Sequence, residues 1–296
     1  MWFVGSQNQP YMMYDFSDVS ALPGQYGSNG WQTAAIHPNV AYSWNRENVY
    51  SQMGFDAFYD IESFDPAAPK RHMGVTDAVT YDKVLEVLGS SDAPQFIFDV
   101  TMQNHGGYDT WDLPEDERLD YDVSAIDGAQ YGQTSEYISL IARSEQDVNA
   151  FLNELETLER PVVVVFFGDH QPAVGQTIND ALPGAAGVGT LAHVQRVQQT
   201  PYLIWANYEI AGAPEMPIER DLGLFSLAAY ANHLIGAPLT DYQKAQIVLM
   251  ERIPVLNAYG YRGSDGQWYS FESETNYSDA VRDLEWQQYL EFASNL

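Results

Sequence analysis

Cysteine is absent from the 296 residues, which excludes disulfides, thiolate metal sites and cysteine nucleophiles. Basic residues are also scarce, with 13 Lys and Arg against 41 Asp and Glu, so the formal net charge is -28 at pH 7. Such a surface repels nucleic acid, and it accepts an anionic substrate only where a metal ion or a local Arg/His group reverses the field. We therefore expect no nucleic-acid partner.

Long apolar runs are missing too. No stretch reaches the roughly 18 apolar residues of a transmembrane helix, and the first ten residues, MWFVGSQNQP, lack the basic region and apolar core of a signal peptide. The chain as given is therefore predicted to be soluble. Its hydrophobic content of 45% is enough for one large domain or two small ones with a real core.

Short apolar runs alternate along the chain with polar corners and with stretches of helical spacing. This pattern predicts an α/β fold with a mainly parallel central sheet flanked by helices, extending over about residues 1–210 and followed by a small C-terminal α+β portion over about 211–296. The run VVVVFF is apolar at successive positions, which predicts a central strand covered on both faces. The predicted strands are 31–36, 95–101, 162–167 and 202–206, and the predicted helices are 77–88, 134–158 and 224–235.

Three of the six histidines follow predicted strands: His37, His105 and His170. The carboxyl ends of parallel strands form the ligand crevice of an α/β sheet, so we expect these side chains to meet at one edge. A single histidine in such a place is more often structural, but three of six favour a site. The other three histidines receive no role.

Asp169 directly precedes His170 at the end of the VVVVFF run. A carboxylate beside an imidazole suits a divalent ion such as Mn²⁺, Mg²⁺ or Zn²⁺. The alternative is an aspartate that caps the next turn beside an incidental histidine.

The segment HPNVAYSWNR places three further polar or aromatic candidates close to His37 in sequence: Asn39, Trp44 and Arg46. Guanidinium is the preferred bidentate partner of phosphate or sulfate, and this chain has few basic groups to offer. The alternative is that Trp44 packs in the core and Arg46 forms a surface ion pair.

Four ordered blocks of the sequence resemble lipoteichoic acid synthases and related phosphoglycerol transferases, which belong to the sulfatase branch of the alkaline phosphatase superfamily. The blocks are NGWQTAAIHPNVAYSWNRENVYSQMGFDAFYDI, PQFIFDVTMQNHGGYD, YISLIARSEQDVNAFLNELE and PVVVVFFGDHQP. The resemblance continues through TPYLIWANYEI and covers nearly the whole chain. It implies a metal-dependent transferase or phosphodiesterase that acts on glycerophospholipid or glycerolphosphate polymer.

The resemblance also implies roles for individual residues. Asp169 and His170 match the pair that binds the catalytic ion, Mn²⁺ or Mg²⁺ rather than Zn²⁺. His105 matches a catalytic, substrate-contacting histidine. Trp44 and Arg46 match the residues that hold the glycerol phosphate, together with His37. Asn39 stands where some members carry Asp, so its contact with the glycerol end is open.

Two parts of the family's machinery have no counterpart in this chain. The family's nucleophilic Thr and a further metal-binding Glu lie upstream of the block that opens the chain, and a membrane anchor precedes them. The resemblance therefore implies a partial catalytic domain that is inactive alone. Its parent would be attached to the membrane at the extracellular face of the bacterial cell.

Two other functions stay open at this stage. The first is a non-catalytic module that recognises glycerol phosphate without cleaving it. The second is a related sulfatase or phosphoethanolamine transferase, although the formylglycine route of sulfatases could start here only from Ser, since Cys is absent.

Overall fold

The computed structural model describes residues 10–71, 74–108, 113–119, 131–182, 184–212 and 219–293. These residues divide into two compact units. The first unit contains the described residues of 10–156 together with Pro172–Ile178, and the second contains Thr157–Gln171 and the described residues of 179–293. The predicted division at about residue 210 does not coincide with these units and stays a prediction about domains.

The first unit is built around a parallel sheet of three strands in the order β2-β1-β5. Its strands are β1 (Gln32–Ile36), β2 (Ala57–Tyr59), β3 (Lys70–Arg71), β4 (Gly74–Val75) and β5 (Gln95–Asp99), with β3 and β4 forming a small antiparallel pair. Its helices are α1 (Pro10–Met13), α2 (Leu22–Ser28), α3 (Arg46–Gln52), α4 (Asp77–Gly89) and α5 (Tyr131–Glu156).

The register of this sheet aligns the carboxyl ends of its strands. Ile36, the last residue of β1, pairs with Tyr59 of β2 and with Asp99 of β5. The amide of Val100 then donates to the carbonyl of Ile36 at 3.0 Å, which extends the alignment by one residue. The segments that follow β1 and β5 therefore leave the sheet at the same edge, as predicted for His37 and His105.

Aromatic side chains cover one face of the sheet. Tyr26 of α2 stacks on Phe96 of β5 at 4.9 Å, and Tyr50 of α3 meets Phe58 of β2 edge to face at the same separation. Between the two long helices, Tyr81 of α4 stacks on Phe151 of α5 at 4.7 Å. These contacts fix the sheet and helices from which the candidate site residues project.

The second unit combines two antiparallel sheets with helices. Its strands are β6 (Val163–Phe167), β7 (Tyr202–Ala206), β8 (Val255–Asn257), β9 (Gly260–Arg262) and β10 (Trp268–Tyr269). Its helices are α7 (Leu191–Arg196), α8 (Leu224–Leu234), α9 (Asp241–Met250) and α10 (Ser278–Gln288), while α6 (Ala173–Ala181) runs from the first unit into the second. The α+β content predicted for the C-terminal portion is confirmed by β8–β10 and α8–α10.

The prediction of a central strand at VVVVFF is wrong for the described residues. Strand β6 pairs there only with β7, and the pairing is antiparallel. Its residues are half-buried, and Phe167 is 37% exposed. Periodicity could not distinguish this arrangement, because a continuous apolar run reports burial of both faces but not the number or direction of partner strands.

The other predicted strands and helices are present. Helix α4 extends through Gly89, one residue beyond its predicted end, and Ser90 caps it. Helix α5 runs over Tyr131–Glu156 rather than 134–158, with Leu140 fully buried and Ile141 45% exposed. Within the described ranges, no helix is both long enough and apolar enough to cross a membrane.

Candidate functional site

His37 follows β1 directly and is almost fully buried, with 1% of its surface exposed. Its Nδ1 lies 2.7 Å from the carbonyl oxygen of Val100. A carbonyl only accepts, so Nδ1 carries the proton and Nε2 keeps a free lone pair. Nε2 is buried and has no hydrogen-bond partner among the described residues.

The electrostatic surroundings keep His37 neutral. Burial lowers its pKa to about 4, the hydrogen bond to Val100 opposes this shift, and the charges of Arg46 and His105 add to it. At neutral pH, Nε2 of His37 is therefore an unprotonated acceptor that is buried and has no partner among the described residues.

Arg46 begins α3, and its guanidinium group is only partly buried. Nη1 donates to the carbonyl of Ser43 at 3.1 Å. In the described part of the chain Arg46 joins no ion pair, despite the large excess of carboxylates. The alternative of a surface ion pair is therefore not supported, and most of the guanidinium donors are available to an anion.

Trp44 and Asn45 sit in a short 3₁₀ turn just before Arg46 and have an unusual backbone. Both are left-handed, with φ of 59° and 57°. For L-residues other than glycine this conformation costs roughly 1–2 kcal/mol each, so two in succession store strain of the kind found at functional sites. Trp44 is 51% exposed, which rules out the core role considered for it.

Asn39 has its side-chain oxygen engaged locally. Its Oδ1 accepts from the amide of Val40 at 2.7 Å, and its carbonyl accepts from the amide of Ile61 at 3.1 Å. The side-chain amide nitrogen remains available as a donor. A donor at this position differs from the Asp of some family members, which could only accept.

His105 is exposed on the segment after β5, and that segment is held by hydrogen bonds to the half-buried Ser144 of α5. The hydroxyl of Ser144 accepts from Asn104 Nδ2 at 2.6 Å and from Gln103 Nε2 at 3.2 Å, and it donates to the carboxylate of Asp77. One proton and two lone pairs are thereby all used. These hydrogen bonds hold Gln103 and Asn104, the two residues that precede His105, in place.

Asp77 and Ser144 were missed by the sequence reasoning. In the sequence, Asp77 resembles an ordinary acidic residue in the first turn of α4, a helix whose N-cap residue is Thr76. The only available signal was a Ser in the middle of an amphipathic helix, where such a side chain needs a partner if it is buried.

Asp169 and His170 lie in the second unit and are open to solvent, with side chains 84% and 76% exposed. The carboxylate accepts from the amide of His170 at 2.8 Å, and its other oxygen is 3.4 Å from Nε2 of the imidazole. The predicted meeting of this pair with His37 and His105 stays a prediction, because the two sets belong to different units.

The pair fits a divalent ion by donor type but not by number. Carboxylate oxygen and imidazole nitrogen suit Mn²⁺, Mg²⁺ or Zn²⁺. Among the residues that the structure describes, no group of three or more His, Cys, Asp or Glu side chains could hold a metal ion. Two protein donors would leave such an ion largely hydrated.

Comparison with known proteins identifies the family. The sulfatase family profile matches residues 3–235. A putative cyclic beta-1,2-glucan modification protein of Rhizobium meliloti is 25% identical over 207 residues, covering 67% of this chain and 31% of that protein. Lipoteichoic acid synthase 2 of Bacillus subtilis is 24% identical over 231 residues, covering 76% of this chain and 33% of that protein.

A solved structure with the same fold is the Streptococcus pyogenes phosphoglycerol transferase GacH in complex with sn-glycerol-1-phosphate. The TM-score is 0.61 at 21% identity, over 89% of this chain and 62% of that one. The chain thus spans about a third of the length of the curated relatives it matches. It belongs to the sulfatase family, and lipoteichoic acid synthases are among its relatives.

Proposed function

We propose that the chain is the glycerol-phosphate-binding part of a phosphoglycerol transferase or phosphodiesterase that acts on glycerophospholipid or glycerolphosphate polymer. The observation that carries the proposal is the group at the edge of the first unit's sheet. Within the described residues, Arg46 makes no ion pair and His37 presents a buried, unpartnered Nε2. A phosphate ester of glycerol has a partner for both side chains: its anionic oxygens accept hydrogen bonds from Arg46, and its hydroxyls donate to Nε2 of His37.

The site residues take complementary roles in this proposal. Arg46 binds phosphate oxygens, and Nε2 of His37 accepts from a glycerol hydroxyl. His105 exchanges a proton with an alcohol oxygen. The exposed ring of Trp44 packs against the glycerol carbons. GacH supports this assignment, since that protein has the same fold and was solved in complex with sn-glycerol-1-phosphate.

Asp169 and His170 are proposed as ligands of Mn²⁺ or Mg²⁺. When bound, the ion supplies charge neutralisation at phosphoryl oxygens. The proposed place of action is the extracellular face of the bacterial membrane, and the lipoteichoic acid synthases among the relatives support this proposal.

A second candidate, a glycerol-phosphate-binding module without catalysis, is favoured by one observation. Only two potential metal ligands stand together at Asp169–His170, and the described residues offer no larger group. Binding without turnover would support this candidate over a transferase that is complete in this chain.

Calorimetric titration with sn-glycerol 1-phosphate tests the proposal. Arg46→Gln should weaken binding by at least tenfold, because a hydrogen bond to a charged group is worth about 1.5–3 kcal/mol. Arg282→Gln removes the same charge from an exposed ion pair with Asp279 and should leave binding unchanged. Equal affinity of the wild type and Arg46→Gln would refute the site. Release of glycerol phosphate from phosphatidylglycerol with Mn²⁺ present then decides between transferase and binding module.

A further inference from the structure

The hydroxyl of Ser144 in α5 serves three neighbours, and the direction of its single proton decides which hydrogen bonds it makes. An ionised carboxylate has no proton to give, so the hydroxyl donates to Asp77. Both lone pairs are then left for the side-chain amides of Gln103 and Asn104, which donate at 3.2 Å and 2.6 Å. This arrangement is therefore the one that belongs to an ionised Asp77.

A proton on Asp77 is not compatible with this arrangement. On Oδ2 the proton points at Ser144, whose two lone pairs would then face three donors. On Oδ1 the proton would lack an acceptor, because this oxygen is buried and has no hydrogen-bond partner among the described residues. A buried donor without a partner is strongly disfavoured. Protonation of Asp77 therefore costs Ser144 one of its two amide donors.

Gln103 is the amide that stays bound. Its Nε2 donates to Ser144, and its Oε1 accepts from the backbone amide of Asp77 at 3.4 Å, so both ends of the side chain are used. Turning this amide over would place its NH₂ group against the N–H of Asp77, donor against donor. The side chain is also fully buried, which leaves it no solvent to turn to.

Asn104 is the amide that is released. Only its Nδ2 is engaged, because Oδ1 has no hydrogen-bond partner among the residues that the structure describes. When Ser144 gives up one donor, the amide of Asn104 either turns over or leaves. Asn104 directly precedes His105, whose backbone amide donates to the carbonyl of Met102 at 3.1 Å in the same turn. Release of Asn104 thus loosens the turn that carries His105.

We propose that Asp77 is a pH-sensitive positioning residue for His105: its carboxylate keeps Asn104 bound to Ser144, and protonation of the carboxylate releases Asn104 and loosens the turn that carries His105. The inference rests on the proposed function, in which His105 exchanges a proton with the substrate. Asp77 touches no substrate in this scheme and acts only through its neighbours.

The change falls within an accessible range of pH. Burial raises the pKa of Asp77 to about 6, the hydroxyl of Ser144 opposes the shift, and the charge of Asp147 adds to it. The turn is therefore held above about pH 6 and loosened below it. Burial also raises the pKa of Asp99, and the charge of Asp77 adds to that shift. The charged or titratable groups around Asp77 are Asp147 with its partner Arg143 on α5, Asp99 at the end of β5, and Tyr81 on α4.

The test follows the side-chain amide resonances of the free protein by heteronuclear NMR between pH 5 and pH 8. In the wild type, the resonances of Asn104 should shift with a midpoint near pH 6, whereas those of Gln103 should change little. Asp77→Asn keeps the shape and an acceptor for Ser144 but does not titrate, so it should abolish this step. The difference between the two proteins in the His105 resonances should follow the step of Asn104.

Two serine variants of α5 complete the comparison. Ser144→Ala removes the acceptor of Asn104 and should abolish the step by releasing Asn104 at every pH. Ser139→Ala is the matched control, because the buried hydroxyl of Ser139 binds the amide of Leu119 at 2.8 Å and not the segment before His105. It should keep the step of the wild type. Near-UV circular dichroism confirms that each variant is folded.

The second readout is the affinity for glycerophosphoglycerol, a phosphodiester whose charge does not change between pH 5 and pH 8. At pH 8 the wild type and Asp77→Asn should bind it alike. At pH 5 the wild type should bind about two- to tenfold more weakly than Asp77→Asn, which corresponds to the loss of about one hydrogen bond. Protonation of the histidines is common to both proteins.

Asn104 resonances that stay constant from pH 5 to pH 8, or that shift equally in Asp77→Asn, would overturn the inference. A step at Asn104 without a matching difference at His105 would overturn it as well, since the release would not reach the site. Failure of the wild type to bind the diester at any pH would refute the proposed function instead. The NMR titration separates the two, because it reports the coupling between Asp77, Asn104 and His105 without a ligand.

Discussion

Replacing Asp77 by Asn should change how the stability of the first unit depends on pH. Asp77 is 2% exposed. Burial raises its pKa from 3.8 to about 6, the Ser144 hydroxyl opposes the shift, and the charge of Asp147 adds to it. Ionising Asp77 therefore costs the folded state about 3 kcal/mol more than it costs the unfolded chain.

The sign follows from linkage. The folded-state pKa is the higher one, so the folded chain binds the proton more tightly, and the stability that Asp77 contributes is lost as the pH rises from about 4 to above 6. The isoelectric point of about 4.2 makes association a problem below pH 5, so the scan covers pH 5 to 8. About half of the 3 kcal/mol, roughly 1.5 kcal/mol, should be lost within that range.

The assay is urea unfolding of the wild type and Asp77→Asn at several pH values. Asn keeps the shape and an acceptor for Ser144 but does not titrate. The free energy of unfolding of the variant relative to the wild type should therefore rise by about 1.5 kcal/mol between pH 5 and pH 8. Asp82→Asn, at an exposed position of the same helix, is the control and should show no such trend.

Three other ionisable groups lie near Asp77 and are present in both proteins: Asp147, which pairs with Arg143 at 3.1 Å, Asp99 at the end of β5, and Tyr81. The charge of Asp77 contributes to raising the pKa of Asp99, so its removal in Asp77→Asn eases the ionisation of Asp99 and adds to the difference in the same direction. A difference between variant and wild type that is the same at pH 5 and pH 8 would refute the reasoning. It would mean that Asp77 is neutral or solvated throughout.

Three further predictions concern single substitutions. Ser144→Ala should lower the free energy of unfolding, measured in urea, by about 2–3 kcal/mol. The loss should be larger at pH 8 than at pH 5, because the ionised Asp77 then lacks its hydrogen-bond donor, and a loss independent of pH would contradict this. Trp44→Gly should stabilise the chain by about 1 kcal/mol by relieving the left-handed strain, yet weaken sn-glycerol 1-phosphate binding in calorimetry; lower stability would show that the ring packs more than its exposure suggests. Gly168→Ala should lower the free energy of unfolding by about 1–3 kcal/mol, since its Cβ meets Thr200; Gly106→Ala, at a position with open space around it and no left-handed backbone, is the control and should cost less.

The four strands predicted from apolar runs are all present, as β1, β5, β6 and β7, because a short apolar run bounded by polar corners has few other solutions in an α/β chain. Strand β2 was not predicted, because three residues carry too little pattern. The sequence also predicted that His37 and His105 share an edge, because parallel strands bring their carboxyl ends together. The arrangement around β6 escaped prediction. Pairing partners are set by packing across distant parts of the chain, and the composition of one strand does not encode them.

The sequence predicted the residues of the candidate site that have distinctive chemistry, but it did not predict the residue that holds one of their segments in place. His105, Arg46 and Asp169 stand out because their chemistry is unusual after a strand or in an acidic chain. Ser144 is a common residue type in an ordinary helical context. Its role depends on hydrogen bonds to Gln103 and Asn104, which lie far away in sequence and which only the folded chain brings close.

The pairing of β6 with β7 has a consequence for handling the protein in solution. A short two-stranded sheet of valine and phenylalanine, with Phe167 37% and Leu203 41% exposed, is the type of surface on which chains add to one another edge to edge. The net charge of -28 opposes such self-association through long-range repulsion. Added salt shortens that repulsion to about 8 Å at 0.15 M ionic strength, so colloidal stability should be greatest in dilute buffer and should fall as salt is raised.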